Sequence, residues 1–226
     1  MIDISNNVQV SDFRAVRSSG ILAVFHKASE GGDWVDPSYA PRRREAEQAG
    51  LLWGAYHFGT RQHSGARQAE TFLAVARPGP ATLLCLDYEL NDYKPYNTMR
   101  LQQAEEFVAV VYRATGRLPV VYTHANWANG TRARRGVASE PVSPNSVLAQ
   151  CDLWVADTRE PPEVPFAWAG RGWKLWQYVA NESAETAAYG SAPRAIPGVT
   201  HCDRNLFAGN EQALVRFWRS SGRARA

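Results

Sequence analysis

The sequence predicts an α/β fold: a sheet or barrel of parallel strands, with helices through its first half and strands through its second. Three observations predict this. Short apolar runs alternate with amphipathic stretches as far as Thr123. The runs ILAVFHK and ATLLCLD are apolar without alternation, as in parallel strands buried on both faces. Beyond Thr123 the helical pattern thins while strand-like segments continue.

The elements follow in order. Ile2 to Ile4 is a short strand, and Asp12 to Ser19 forms a helical turn or two. Ile21 to Lys27 is a buried strand. Tyr39 to Ala49 is helical and closes on Gly50. Leu51 to Phe58 is the next strand, and Ser64 to Ala76 a helix stopped by Pro78-Gly79-Pro80. Ala81 to Asp87 is a strand. Thr98 to Thr115 is the longest helix, with Thr98 as N-cap and Gly116 as stop. Leu118 to Thr123 is a strand, and Trp127 to Asn145 a polar, basic loop. Asp152 to Ala156, Trp173 to Tyr178 and Thr200 to Asn205 are strands, and Glu211 to Arg219 is a terminal helix. One domain over residues 1–219 accounts for all of them, leaving 220–226 as a frayed tail.

Bulk composition excludes several classes. The chain has 226 residues, 45% hydrophobic and 21% charged, which is ordinary for a globular protein. No apolar run approaches the ~20 residues needed to cross a membrane, so no membrane insertion is expected. Three cysteines, Cys85, Cys151 and Cys202, are too few and too odd in number for a disulfide framework. His201-Cys202-Asp203 lacks the repeated close spacing of a zinc site, so neither metal nor cofactor is expected. The net charge of +3 favours anionic partners. Basic residues do not interleave with aromatics, which argues against nucleic acid. No secretory segment precedes the first strand.

In such folds chemistry sits at the C-terminal ends of strands. Those ends offer Asp3 and Ser5, then Lys27, then Tyr56 and His57, then Asp87 and Glu89, then Tyr122 and Thr123. Later ends offer Asp157, Trp176-Gln177-Tyr178, and Asp203 with Asn205. Residues i and i+2 of a strand share a face, with Cα atoms roughly 6–7 Å apart. Asp87 and Glu89 therefore reach one substrate bond. Acids gathered in one mouth raise each other's pKa, which makes a carboxylic acid a proton donor near neutrality.

Six segments in this order resemble the family 25 glycoside hydrolases, lysozymes of the Chalaropsis type. They are IDISNN from Ile2, HKASEG from His26, GAYHF from Gly54, LDYE from Leu86, LWQY from Leu175 and CDRNLF from Cys202. The resemblance runs from about Ile2 to Leu214. It implies an irregular TIM-like barrel of five βα units followed by three strands with little helix. It also implies hydrolysis of the β-1,4 bond between N-acetylmuramic acid and N-acetylglucosamine in bacterial peptidoglycan. Carried over, Glu89 is the general acid and Asp87 its partner, while Asp3 and Asp203 supply the negative field that keeps Glu89 protonated. Substrate assistance through the N-acetyl oxygen is the preferred route. Tyr56, Tyr122, Trp176 and Gln177 are the expected sugar contacts, and Lys27 the partner of an active-site acid. His26, where relatives carry an aliphatic residue, reads as a hydrogen-bonded core histidine.

The other class of function is a non-catalytic wall-binding module that keeps the barrel. Retention of all the acids argues against it, because unused like charges destabilise a fold. The expected enzyme is a monomer acting on the cell wall. It reaches the wall by phage holin release, or by a non-classical or trimmed secretion route.

Overall fold

In a computed structural model, residues 1–180 and 195–220 are described. The first half alternates strand and helix: β1 (Ile2–Ile4), α1 (Phe13–Ser18), β2 (Ala23–Glu30), β3 (Trp34–Val35), α2 (Tyr39–Gln48), β4 (Leu52–Phe58), α3 (Gly65–Ala76), β5 (Leu83–Asp87), α4 (Leu101–Thr115) and β6 (Val120–Thr123). The second half is strand-rich: α5 (Ala125–Ala128), β7 (Ala133–Arg134), β8 (Val137–Ala138), α6 (Val147–Gln150), β9 (Leu153–Ala156), β10 (Leu175–Val179), β11 (Asp203–Phe207) and α7 (Glu211–Ser220).

The barrel order is β1-β11-β10-β9-β6-β5-β4-β2, and a β1–β2 pairing closes it. Most neighbours run parallel; β11 is antiparallel to both β10 and β1. This is the expected barrel of five βα units and three further strands. Parallel strands demand crossovers, and helices supply them through β6. The antiparallel β11 lets the last strand enter from the opposite end and close the ring.

Side chains alternate between two cores. Phe25, Leu83, Cys85, Val120, Trp154 and Leu175 fill the barrel interior, and Leu214 and Trp218 of α7 join them. The Trp218 ring lies 4.9 Å from Phe25, and its indole N–H donates to the Trp53 carbonyl at 2.9 Å. The outer layer, between strands and helices, holds Trp53, Phe72, Leu86, Phe107 and Val121. Helices α3 and α4 touch so closely at Gly65 that an added Cβ would stand 1.8 Å from the Gln103 carbonyl oxygen. Only glycine fits there, directly after the Ser64 N-cap, whose side chain accepts from the Arg67 N–H.

Several expected boundaries move. Helix α4 starts at Leu101 behind Arg100, not behind Thr98. A 3-10 turn at Pro95–Asn97 takes up the chain first, and the Thr98 hydroxyl instead accepts from the Asn91 N–H. The supposed loop from Trp127 to Asn145 contains the end of α5 and the β7–β8 hairpin. The last strand lies at Asp203–Phe207, later than Thr200 to Asn205. Ser220, expected in the tail, is the final residue of α7. The rest of that tail, 221–226, lies outside the described residues.

Candidate active site

The C-terminal ends of the parallel strands open into a cavity of about 230 Å³. Asp3, Asp87, Glu89 and Asp203 all line it, as do Lys27, Tyr56, Tyr122 and Gln177. The strand register explains the convergence. Asp3 lies directly opposite Asp203 across the β1–β11 pair. Asp87 ends β5 beside Tyr122 of β6 and Phe58 of β4.

Trp176 is the exception among the expected contacts. It packs in the outer layer against Trp173, and its indole donates to the Asp157 carbonyl. Its neighbours Leu175 and Gln177 point inward, so alternation along β10 turns Trp176 away from the cavity. Lys27 acts on the cluster through its charge: its ammonium bonds Glu30, sits 4.8 Å from the Phe58 ring centroid, and opposes the upward push on the Asp87 carboxyl. Asp157 at the next strand end bonds Arg159 and the Glu163 N–H, which ties a loop together.

A buried polar network holds the acids. The Asn205 amide donates to Asp3 at 2.6 Å, and the Gln177 amide donates to both Asp3 oxygens at 3.2 Å. Gln177 also reaches Asp203 at 3.4 Å. The Tyr122 hydroxyl donates to the Gln177 carbonyl oxygen at 2.9 Å, and the Trp154 indole to Asn205 at 2.7 Å. Every donor thus has a fixed acceptor, which orients both amides. Burial pushes the Asp3 carboxyl up, opposed by hydrogen bonds from Asn205, Gln177 and Asp203.

Asp87 is the deepest member of the Asp-x-Glu pair. Burial, then the charge of Glu89, push its carboxyl well above the usual range, and Oδ1 has no hydrogen-bond partner among the described residues. Glu89 is more open, with 24% of its side chain exposed, and accepts from His124 Nε2 at 2.9 Å. Burial lowers the His124 pKa, but the hydrogen bond and charge of Glu89 outweigh it and the net shift is upward. Asp87 ends its strand enclosed, between buried Leu86 and Tyr88, whereas Glu89 is partly exposed.

His26 is a core residue, as read. Its Nδ1 bonds the Lys27 carbonyl and its Nε2 faces Arg42, and burial lowers its pKa to about 4. Arg42 also donates to the Ser5 and Val8 carbonyls, which pins the segment leaving β1. Five contributors to the site escaped the sequence reading: Trp154, Phe58, Cys85, Asn7 and His124. Trp154 and Phe58 look like core residues in any strand. His124 carried a usable signal, since it follows Thr123 at a strand end.

Comparison with known proteins agrees with this geometry. The model of the glycosyl hydrolases family 25 matches residues 2–186. Lysozyme M1 from Streptomyces globisporus is 28% identical over 226 aligned residues, covering 95% of this chain and 69% of that protein. The bacterial lysozyme from Streptomyces coelicolor superposes with a TM-score of 0.73 at 26% identity, over 100% of this chain and 97% of the other. A family GH25 lysozyme from Aspergillus fumigatus superposes at 0.72 with 27% identity, over 98% of each. The chain belongs to the glycosyl hydrolases of family 25.

Proposed function

We propose that this glycoside hydrolase is a lysozyme that cuts the β-1,4 bond between N-acetylmuramic acid and N-acetylglucosamine, with Glu89 as general acid. The protein is a peptidoglycan hydrolase acting on the bacterial cell wall, as family membership and its lysozyme relatives indicate. One observation carries the assignment of residues: Asp3, Asp87, Glu89 and Asp203 converge on one cavity at the catalytic end of the barrel. A wall-binding module has no use for that cluster.

Glu89 is open to a glycosidic oxygen, with 24% of its side chain exposed. A sugar seated over the mouth excludes water, which favours the neutral form of a carboxyl there. Glu89 then protonates the leaving oxygen as the C–O bond breaks. Positive charge develops at the anomeric carbon, and the remaining carboxylates stabilise it. The acetamido oxygen of the substrate attacks that carbon, and water then opens the cyclic intermediate. Asp87, held below the mouth, orients the acetamido group. Tyr56, Tyr122 and Gln177 contact sugar, and Lys27 shapes the rim through Phe58. In this reading residues 1–219 form the catalytic unit and act as a monomer, delivered by holin release or an export route.

Turbidity of purified bacterial walls tests the assignment. Wild type clears the suspension and Glu89→Gln does not; equal clearing contradicts it. Trapping a glycosyl-enzyme ester on Asp87 or Asp203 would overturn the substrate-assisted step.

A further inference from the structure

A second, larger groove of about 800 Å³ continues from the catalytic cavity. The two share Glu89, Tyr122, Gln177 and Asp203, so a chain in one runs into the other. The far wall of the groove is basic: Arg134 and Arg135 line it from the β7–β8 hairpin. Arg132 and Arg134 both reach one carboxylate, Asp92, the first at 3.6 Å. One carboxylate against these two guanidinium groups and Arg135 leaves an excess of positive charge. Asp92 is three residues beyond Glu89, at most ~10 Å along the chain, so this charge lies near the bond being cut.

The hairpin tip adds a second observation. Arg135 and Gly136 form the two-residue loop, both with positive φ, 47° and 78°. Such loops favour Asn-Gly or Gly-Gly because both positions need positive φ, which most side chains other than Asn and Asp adopt only with strain. Here an arginine holds the first position and faces the groove. The groove is thus polarised, with carboxylates at the catalytic end and guanidinium groups at the other.

We propose that Arg134 and Arg135 form an anion subsite for the carboxylates carried by a muramic acid unit beside the scissile bond, and that this contact sets the register of the glycan. The proposal rests on the hydrolase reading above. The two alternating sugars differ in charge: N-acetylglucosamine is neutral, while muramic acid bears carboxylates on its lactyl or peptide substituent. The acidic mouth repels those carboxylates and the hairpin attracts them. A shift of the glycan by one sugar would move them away from the hairpin. Guanidinium groups suit the task, because their fixed donors pair bidentately with a carboxylate.

The test uses solubilised glycan strands bearing stem peptides and purified free of phosphate polymers, beside the same strands with carboxylates converted to methylamides. The Arg134→Gln/Arg135→Gln double variant should raise KM about ten-fold on native strands, with kcat changed less than about two-fold. On neutralised strands it should match wild type, which itself should show the raised KM. An unchanged KM on native strands overturns the subsite, as does an equal loss on neutralised ones. A defect seen only on walls bearing phosphodiester polymers moves the ligand to phosphate and also overturns it. Glu89→Gln is run beside them. If it retains full activity, the assignment of Glu89 as general acid fails, and the KM comparison still stands on its own.

Discussion

Asp3 and Asp203 stand opposite each other in the β1–β11 pair, 200 residues apart in sequence, with the Gln177 amide donating to both. Like charges directly opposite on neighbouring strands destabilise the pair. The bridging amide offsets that repulsion and fixes the two carboxylates at the mouth. Gln177→Ala leaves Asp3, Asp203 and the Tyr122 hydroxyl short of a partner. It should lower stability by about 1–3 kcal/mol and kcat by at least about ten-fold. Adding Asp3→Asn should recover part of the stability, because one of the opposed charges is gone. Strictly additive losses in a denaturation cycle would contradict the bridge.

Asp87 should be a destabilising residue kept for function. Burial and Glu89 raise its folded pKa, so the neutral form stabilises the folded state at low pH. That contribution falls as pH rises from the unfolded value towards the raised folded one. Asp87→Asn removes the ionisation. Its Tm should exceed that of wild type at neutral pH, and the gap should close near about pH 4. Activity should be lost throughout. Thermal scans across pH read the first effect; a variant less stable than wild type at neutral pH contradicts it.

His124 reports on Glu89. Its folded pKa is raised by that carboxylate against the lowering effect of burial. The pair therefore stabilises the fold fully below the unfolded value near 6.5, and the gain is lost as pH rises through the folded value. In Glu89→Gln burial and the charge of Arg132 outweigh the remaining pull of Asp92, and the imidazole should titrate below about 6.5. An NMR titration of the imidazole Cε1 proton follows this. An unchanged midpoint would show that Glu89 does not hold His124.

Trp218 closes the inner core from the last helix, fully buried against Phe25. Trp218→Ala should cost about 3–5 kcal/mol in urea unfolding, through lost packing and the lost indole hydrogen bond to the Trp53 carbonyl. A loss under about 1 kcal/mol would mean that α7 is not part of the cooperative core.

Much of this was legible in the sequence, for identifiable reasons. Uninterrupted apolar runs mark parallel strands, and the end of one placed Asp87 and Glu89 at the mouth; Asp203 joins them from the start of its strand, because β11 runs antiparallel. Trp176 and Gln177 show where residue chemistry misleads. Both suit sugar binding, but neighbours on a strand face opposite ways, so only one can line the cavity. Inward-facing Leu175 already assigns that role to Gln177. The Asn205–Trp154 support of Asp3 carried no local sign, because it joins residues 51 apart whose contact depends on barrel closure. Thr98 has good N-cap chemistry, yet the turn at Pro95 delays the helix and spends its hydroxyl on Asn91.

The central claim is that the barrel mouth cuts the glycan on the reducing side of muramic acid. Mass analysis of digested walls after borohydride reduction tests it most directly. The account predicts fragments ending in reduced N-acetylmuramic acid, absent with Glu89→Gln. Fragments ending in reduced N-acetylglucosamine, or stem peptides released from intact glycan, would contradict it.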